Sequence, residues 1–323
     1  MHSILTYLPA LLAFGITVAL CPVFIPLLHK LKFGQYVRDD GPQTHLKKAG
    51  TPTMGGIVMI AAFAIVSAIY CLREPVMLPV MLLTIGFGFI GFLDDFIKIT
   101  KKRSLGLRAW QKLALQFLVT ALFIYLIQKY FDYGTAIVIP FTGGKTFSMS
   151  EGLFVIFSFI AILGTVNGAN FTDGLDGLAS SVTLVIAVFF AFASLAGTGE
   201  PNGVTTVSLI TIGVLCGFLI FNAYPAKVFM GDTGSLALGG YVAGAAFMLR
   251  MPLFIIIVAF IYLIEIVSVI LQVLYFKATH GKRLFKMAPI HHHFELSGWE
   301  ETRVVALFTV VTIMLALVGL AGM

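Results

Sequence analysis

Ten apolar runs, each long enough to cross a lipid bilayer, alternate along the chain with shorter polar connections. A helix that crosses a bilayer needs about 20 predominantly apolar residues at a rise of about 1.5 Å per residue. The pattern therefore predicts ten transmembrane helices. The runs cover residues 4–28, 54–72, 76–97, 112–130, 151–167, 178–196, 204–221, 234–249, 252–276 and 303–322.

The ninth run differs from the others in its length and in a carboxyl group, that of Glu265, near its middle. A run longer than the bilayer thickness can tilt or break, and an ionisable group at that depth is costly unless it is paired. We therefore expect the ninth helix to be tilted or interrupted.

A different pattern lies between the fourth and fifth runs, where two segments rich in β-branched residues flank a pair of glycines. The segments are TAIVIPF at 135–141 and KTFSM at 145–149, and the glycines are Gly143 and Gly144. Short runs of this kind around a two-glycine turn are typical of a β-hairpin. We predict a small external hairpin with a structural role.

The composition indicates a membrane protein and excludes a water-soluble one. Of the 323 residues, 59% are hydrophobic and 11% are charged, against roughly 25% charged residues in a soluble domain. The N-terminal segment lacks the basic start and cleavage site of a secretory signal, so we expect it to remain as a transmembrane helix. The predicted fold is an all-α integral membrane protein, with one polytopic domain over residues 1–323 and cytoplasmic loops.

The basic residues are distributed unevenly between the connections. Seventeen of the 21 lysines and arginines fall in or at the edges of the connections after the first, third, seventh and ninth runs. Because cytoplasmic loops are enriched in Lys and Arg, these connections are predicted to be cytoplasmic and both termini to lie outside. The formal charge of +6 does not indicate nucleic acid binding, since the bases lie between hydrophobic runs without interleaved aromatic residues.

Two adjacent carboxylates, Asp94 and Asp95 in the motif GFLDDFIK, lie at the predicted cytoplasmic end of the third run. Adjacent side chains on a helix point about 100° apart, so the two can contact different partners. A buried carboxylate pair is unfavourable unless a cation or a proton compensates it. The motif therefore indicates a cation site, and the alternative is a simple ion pair with Lys98 at a helix end.

A second motif, NGANFTDGLDGLA, contains amides and carboxylates at steps of three: Asn167, Asn170, Asp173 and Asp176. On a helix this spacing keeps them on one side, while the glycines allow a loop equally well, and in either case we expect the side chains to converge. The connection contains no Lys or Arg, so a metal ion is the expected partner, and oxygen ligands favour Mg²⁺ or Mn²⁺ over Zn²⁺. The alternative is a glycine-rich turn without a ligand.

A third motif, NAYPAKVFMGDTGSLALGG, follows the seventh run and contains Asn222, Phe229 and Asp232. Asp232 precedes the sequence Thr-Gly-Ser, which resembles a helix N-cap leading into the eighth run. Capping and metal ligation do not exclude each other for one carboxylate. Both interpretations therefore stay open for Asp232.

Three consecutive histidines, His291, His292 and His293, lie in the motif MAPIHHHFE. Consecutive side chains cannot easily face one tetrahedral ion and no cysteine is near, so hydrogen bonding to phosphate is favoured over zinc binding.

Taken together, the motifs offer acidic residues for a divalent cation and basic and imidazole groups for phosphate, all beside a bilayer. This combination indicates phosphoryl transfer from a soluble anionic donor to a lipid acceptor.

A transporter is the alternative from another class of protein. In that interpretation Asp94, Asp173 and Glu265 would form a proton or cation relay. Such a relay needs ionisable groups at mid-bilayer depth on several facing helices, whereas only Glu265 is central in its run. The sequence therefore favours an enzyme with cytoplasmic catalytic loops.

The motifs resemble those of the polyprenyl-phosphate N-acetylhexosamine-1-phosphate transferases, and the unbroken HHHFE run resembles their muramoyl-pentapeptide branch. The resemblance also includes GPQTHLKKAGTPTMGG at 41–56 and APIHHHFELSGWEE at 288–301. It implies a ten-helix enzyme of the bacterial cytoplasmic membrane, usually a homodimer, that uses Mg²⁺ in peptidoglycan biosynthesis. The implied substrates are UDP-MurNAc-pentapeptide and undecaprenyl phosphate, and the products are lipid I and UMP. Relatives that transfer GlcNAc-1-phosphate, or MurNAc-1-phosphate without the peptide, are the alternative.

The same resemblance implies roles for individual residues, by their positions in the motifs. Asp232 would bind Mg²⁺ together with Asp173, supported by Asp94 and Asp95. The catalytic positions would also include Lys112, Asn222 and His291. The substrate-binding positions would be Asn167, Asn170, Asp173, Asp176, Phe229, His292 and His293. Direct attack by the lipid phosphate is the expected mechanism, and a covalent intermediate on Asp94 or Asp95 is the alternative.

Overall fold

The computed structural model of the chain describes residues 4–30, 50–101, 103 and 105–323. The start of the motif at 41–56 lies outside the described residues, as do the basic residues Lys32, Arg38, Lys47, Lys48 and Lys102. Every predicted run contains a helix. In chain order the helices are α1 (Leu8–Lys30), α2 (Gly56–Tyr70), α3 (Met77–Thr100), α4 (Ala109–Tyr130), α5 (Glu151–Thr172), α6 (Leu178–Thr198), α7 (Gly203–Asn222), α8 (Gly231–Met248), α9 (Ile255–Val258), α10 (Phe260–Ala278), α11 (Ile290–Glu295) and α12 (Glu301–Ala321).

Most of these helices are suited to a membrane by length and composition. Among the described residues, eight are long and apolar enough to cross a bilayer, namely α1, α3, α4, α5, α6, α7, α10 and α12. The other two runs form α2, with 15 residues, and α8, with 18. Helix α8 is rich in glycine and almost completely buried, so protein surrounds it and its sequence need not be as apolar. The prediction of an all-α membrane protein is confirmed.

The ninth run is interrupted, which is one of the two outcomes that its length predicted. It contains α9 and α10, which are separated by Ala259 with φ −106° and ψ 31°. These dihedral angles depart from the helical values of about −63° and −42°. The side chain of Glu265, on α10, is completely buried. The break therefore occurs in the run that carries the buried carboxyl group.

The predicted hairpin is also confirmed. Strands β1 (Ala136–Val138) and β2 (Thr146–Ser148) pair antiparallel, and Ile137 lies opposite Phe147. Gly143 and Gly144 in the connection have φ of 68° and 80°, values that glycine adopts at no steric cost. Backbone N–H groups of the hairpin region donate to the carbonyl groups of Arg250 and Gly322. The hairpin therefore packs against the end of α8 that is remote from Asp232.

Glycines allow α3 and α8 to pack with their backbones in contact. A Cβ on Gly91 of α3 would overlap the carbonyl group of Asp232, and a Cβ on Gly240 of α8 would lie 2.5 Å from the carbonyl oxygen of Leu83. Small residues at a helix interface permit such an approach. As a result, the C-terminal end of α3 lies directly beside the N-terminal end of α8.

Candidate active site

Three carboxylates from two helices meet where the end of α3 lies against the start of α8. They are Asp94 and Asp95, near the end of α3, and Asp232, the second residue of α8. One oxygen from each lies within 4.8 Å of those from the other two. We call these three residues the carboxylate cluster. The close helix contact at Gly91 brings its members together although they are far apart in the sequence.

Two lysines neutralise much of the charge of the carboxylate cluster. Lys98, one turn beyond Asp94 on α3, places its Nζ 2.6 Å from Asp94, 3.6 Å from Asp95 and 3.1 Å from Asp232. Lys112 of α4 places its Nζ 2.8 Å from Asp232. The ion pair between Asp94 and Lys98 that we considered as an alternative is therefore present. It is one part of a larger arrangement that joins three helices.

The two adjacent aspartates have different hydrogen-bond partners, as their angular separation on the helix predicted. Oδ1 of Asp94 accepts a hydrogen bond from the backbone N–H of Leu107 at 2.8 Å. Oδ2 of Asp95 accepts hydrogen bonds from the backbone N–H of Thr233 at 2.9 Å and from its hydroxyl group at 2.8 Å. These bonds hold both carboxylates in place, and the contact with Thr233 ties α3 to the first turn of α8.

Asp232 lies inside α8 and not at its N-cap. The N-cap residue is Met230 and Asp232 is in the first helical turn, so the capping interpretation is wrong. The carboxylate instead accepts a hydrogen bond from Nδ2 of Asn170 at 3.0 Å. Asn170 also donates to Oγ of Ser235 at 2.8 Å. Its amide group therefore joins α5 to the start of α8.

The residues at steps of three in the second motif do not converge on one point. Helix α5 includes Asn167 and Asn170, and a turn follows its end. Asn167 donates from Nδ2 to Oε1 of Gln116 on α4 at 2.9 Å. Asp176 accepts a hydrogen bond from the backbone N–H of Ala226 at 2.9 Å. The expected convergence is therefore wrong for Asn167 and Asp176, whereas Asn170 does reach the carboxylate cluster.

Asp173 is the residue directly after α5, and it is half-buried. Within the described ranges, the carboxylate oxygens that gather within 4.8 Å of one another come from Asp94, Asp95 and Asp232, and Asp173 is not part of that group. The role of Asp173 as a metal ligand stays a prediction.

Asn222 and Phe229 lie at the two ends of the loop between α7 and α8. The buried amide of Asn222 accepts a hydrogen bond from the Ser180 hydroxyl at 2.8 Å and donates to the carbonyl group of Val228 at 3.0 Å. The backbone N–H of Phe229 donates to the carbonyl group of Pro52 at 2.9 Å. In this structure Asn222 thus supports the loop that carries Phe229.

The three histidines lie on the short helix α11 and contact different groups, as expected for consecutive residues. Nδ1 of His291 lies 3.0 Å from Oε1 of Glu265, and both side chains are buried. Nδ1 of His292 lies 2.8 Å from Oε2 of Glu295. Nδ1 of His293 accepts a hydrogen bond from a backbone N–H of the preceding loop at 3.2 Å. The histidines do not form one metal site with each other.

Two contacts of the carboxylate cluster were not predicted from the sequence. Lys98 bridges all three carboxylates, although only its pairing with the two aspartates of α3 follows from helical spacing. Thr233 belongs to the supposed capping motif, and no local signal joins it to Asp95, which is 138 residues away.

The carboxylate cluster has the donor chemistry of a divalent-cation site. Carboxylate oxygens are typical ligands of Mg²⁺ and Mn²⁺. A cationic group, the ammonium of Lys98, already lies among all three aspartates. The chemistry of the residues therefore fits a divalent cation. Their location at helix ends differs from the row of ionisable groups across the membrane that a transport relay requires.

The apolar helices and the carboxylate cluster define a class of protein, a polytopic membrane enzyme suited to the transfer of phosphorylated groups. Comparison with known families agrees with this class. Residues 77–250 match the family model described as Glycosyl transferase family 4. Residues 48–60 match the Phospho-N-acetylmuramoyl-pentapeptide-transferase signature 1.

Curated relatives align with nearly the whole chain, and each is named phospho-N-acetylmuramoyl-pentapeptide-transferase. The relative from Clostridium kluyveri is 51% identical over 314 residues, which cover 96% of each chain. The relative from Clostridioides difficile is 51% identical over 321 residues, which cover 98% of this chain and 97% of its own. The relative from Acetivibrio thermocellus is 49% identical over 311 residues, which cover 96% and 92%. The chain belongs to the phospho-N-acetylmuramoyl-pentapeptide-transferase family and is a multi-pass bacterial membrane enzyme of peptidoglycan synthesis.

Replacement of Asn170 by aspartate tests the contact between α5 and the carboxylate cluster. The change exchanges the amide donor for a carboxylate 3.0 Å from Oδ1 of Asp232, so we expect repulsion and a loss of turnover of about a hundredfold. The measurement is the initial rate of turnover by the purified enzyme in detergent.

The matched control for this variant is Asn202→Asp, at the N-cap of α7. The side-chain oxygen of Asn202 accepts hydrogen bonds from two backbone N–H groups, and aspartate caps helices equally well. We expect the control to keep the wild-type rate. Equal rates for Asn170→Asp and the wild type would show that the Asn170 amide does not support the site.

Proposed function

We propose that the enzyme transfers phospho-N-acetylmuramoyl-pentapeptide from UDP-N-acetylmuramoyl-pentapeptide to undecaprenyl phosphate, releasing UMP and forming lipid I. The name shared by the relatives supports the transferred group. The observation that carries the chemistry is the carboxylate cluster with its two lysines. This arrangement combines ligands for a divalent cation with positive charges for phosphate oxygens.

We propose Mg²⁺ as the cofactor, held by Asp232 with Asp94 and Asp95, and with Asp173 as a further ligand. A Mg²⁺ ion in this position would neutralise charge on the diphosphate and on the departing UMP. Lys98, whose ammonium lies beside Asp94 and Asp232, would hold a phosphate oxygen next to these carboxylates.

In the proposed reaction an oxygen of the lipid phosphate forms a bond to the β-phosphorus of the donor. The bond from that phosphorus to the bridging oxygen breaks, and UMP leaves with the electron pair. Lys112 and His291 would hold phosphate oxygens. The lipid phosphate is itself an anionic nucleophile, so a base is needed only to remove its last proton. Asp94 would accept that proton.

The rival route passes through a covalent intermediate in which Asp94 or Asp95 carries the phospho-sugar after UMP has left. The one-step route is supported by the charge of the lipid phosphate, which is itself an anionic nucleophile and needs no covalent intermediate on the enzyme. Incubation of lipid-free enzyme with donor labelled at the β-phosphorus separates the routes. The one-step route gives no labelled protein, and a labelled adduct of the phospho-sugar on Asp94 or Asp95 would overturn it.

We further propose that the donor binds over the end of α5 and the adjoining loops. The hydrogen bond between Asn170 and Asp232 supports this position, because it joins that segment to the carboxylate cluster. The proposed donor-binding residues are Asn167, Asn170, Asp173, Asp176, Phe229, His292 and His293, and Asn222 would act beside them.

The proposed orientation places the carboxylate cluster on the cytoplasmic side and both termini outside. We also propose that the enzyme acts as a homodimer. The distribution of Lys and Arg supports the orientation. The hairpin, which contacts the carbonyl group of Arg250 at the other end of α8, would then lie on the outside. With 18 residues, α8 separates these two ends by about 27 Å.

Release of UMP by the purified enzyme tests the function. The assay supplies undecaprenyl phosphate and either UDP-MurNAc-pentapeptide or UDP-GlcNAc, with Mg²⁺ or with a chelator. We expect turnover with the pentapeptide donor alone, and only with Mg²⁺. Turnover with UDP-GlcNAc would assign the enzyme to the other branch, and turnover in chelator would contradict the cofactor.

A further inference from the structure

A buried pair, Glu265 and His291, lies outside the carboxylate cluster. The side chains are exposed by 0% and 1%, and Nδ1 of His291 lies 3.0 Å from Oε1 of Glu265. Glu265 lies on α10, just after the break at Ala259, and His291 lies on α11. The pair therefore joins the interrupted ninth run to the helix of the three histidines.

Each partner of this pair keeps one polar atom without a hydrogen-bond partner among the described residues. These atoms are Nε2 of His291 and Oε2 of Glu265, and both are buried. Leaving a buried polar group unpaired is unfavourable, because the group loses its hydrogen bonds to water and gains none in return. In a pair with a purely structural role, unpaired atoms would only lower the stability. They are expected where the group binds a ligand.

The position of Nε2 explains why residue 174 is a glycine. A Cβ on Gly174 would overlap the Nε2 atom of His291. Gly174 lies in the turn between Asp173 and Asp176, directly after α5. The imidazole ring thus occupies the volume of the missing side chain, and its free nitrogen faces the turn at which we propose that the donor diphosphate binds.

We infer that Glu265 is a positioning residue for His291. Its carboxyl oxygen accepts the Nδ1–H of His291, which fixes the ring orientation and the tautomer and leaves Nε2 to face the turn at Gly174. A carboxyl group hydrogen-bonded to one ring nitrogen sets the state of the other nitrogen in this way. The inference rests on the proposed function, because it assumes that His291 contacts a phosphate oxygen.

A structural role for the pair predicts different behaviour. Glutamine has the shape of glutamate and is less costly to bury, so Glu265→Gln preserves the packing between α10 and α11. Its amide can donate to Nδ1 as well as accept from it, and the preference for one tautomer is lost. Positioning therefore predicts a loss of rate without a loss of stability.

The first test compares Glu265→Gln with Glu74→Gln. Glu74 follows α2 and also has a buried carboxyl oxygen without a partner among the described residues, so the chemical change is matched. We expect Glu265→Gln to lower kcat tenfold to a hundredfold, to change the donor KM less than threefold, and to keep the thermal midpoint within about 2 °C. Glu74→Gln should match the wild type. A normal kcat in Glu265→Gln, or an equal loss in both variants, would overturn the inference.

A double-mutant cycle shows whether Glu265 acts through His291. We expect Glu265→Gln to have no further effect on kcat in a His291→Gln background, since the group it positions is gone. Independent losses that multiply would overturn the inference. In addition, Gly174→Ala should lower kcat by displacing the ring, whereas Gly164→Ala, where a Cβ has open space, should not.

Nitrogen NMR of the ¹⁵N-histidine-labelled enzyme provides a readout that needs no turnover. The His291 signals are identified by their loss in His291→Gln. We expect a protonated Nδ1 in the wild type and a mixture of tautomers in Glu265→Gln, and unchanged signals would overturn the inference. If the wild type shows this tautomer but releases no UMP, the proposed function fails and the positioning stands. If the wild type turns over but Glu265 does not fix the tautomer, the proposed function stands and the positioning role fails.

Discussion

Replacement of Asp232 by asparagine should reduce turnover by about a thousandfold or more. Its carboxylate lies 2.8 Å from Nζ of Lys112 and 3.1 Å from Nζ of Lys98, and it shares the carboxylate cluster with Asp94 and Asp95. Asparagine removes the charge that binds a cation, and its amide group faces two ammonium groups and the amide of Asn170. The measurement is the initial rate of UMP release by the detergent-purified variant.

The matched control for this change is Asp132→Asn, in the loop before the hairpin. Asp132 is exposed and has a φ of +46°, a conformation that asparagine also adopts readily. We expect this control to keep the wild-type rate. A rate for Asp232→Asn within tenfold of the wild type would exclude Asp232 as an essential metal ligand.

Replacement of Gly91 by alanine should destabilise the enzyme and inactivate it together. The added Cβ would overlap the carbonyl group of Asp232 and lie 2.6 Å from the backbone nitrogen of Thr233. Neither contact can be relieved by a side-chain rotation, so the backbones of α3 and α8 must separate. We expect a loss of about 3 kcal/mol in the free energy of unfolding and at least a hundredfold lower turnover, because Asp232 moves away from Asp94 and Asp95.

Thermal inactivation in detergent, followed together with activity, measures both effects. The control is Gly197→Ala on α6, where a Cβ has nothing within 4 Å. Alanine is favoured over glycine inside a helix by about 1 kcal/mol, so we expect this control to be at least as stable as the wild type. A Gly91→Ala enzyme with normal midpoint and rate would show that α3 and α8 are not packed as closely as described.

The helices could be predicted from the sequence because lipid is an unusually simple solvent. Within hydrocarbon every backbone polar group must be paired inside the chain, so a long apolar run has to be helical. The excess length of the ninth run and Glu265 predicted a tilt or a break, and the structure shows a break at Ala259. The difference between α8 and the other helices could not be predicted in this way. The glycines of α8 adapt it to protein neighbours, and hydrophobicity does not distinguish a buried helix from one that faces lipid.

The members of the carboxylate cluster could be found individually, but their partners could not. Asp94 and Asp95 are conspicuous as carboxylates at the end of an apolar run. The hydrogen bond from Thr233 to Asp95 depends on the contact between α3 and α8, which no local pattern reports. The capping interpretation of Asp232 failed for a related reason. Ser, Thr and Gly after an aspartate are typical of a helix start, but the lysines and Asn170 compete for the same carboxylate.

The most direct measurement of the proposed metal site is the titration of the purified enzyme with Mn²⁺, followed by electron paramagnetic resonance of the free ion. We expect one saturable site per chain that Mg²⁺ displaces, that persists in Asp132→Asn, and that is lost in Asp232→Asn. Equal Mn²⁺ binding by the wild type and Asp232→Asn would contradict the assignment of the metal to the carboxylate cluster. The assignment would also be contradicted if the enzyme showed no saturable Mn²⁺ site and turned over at full rate in the presence of a chelator.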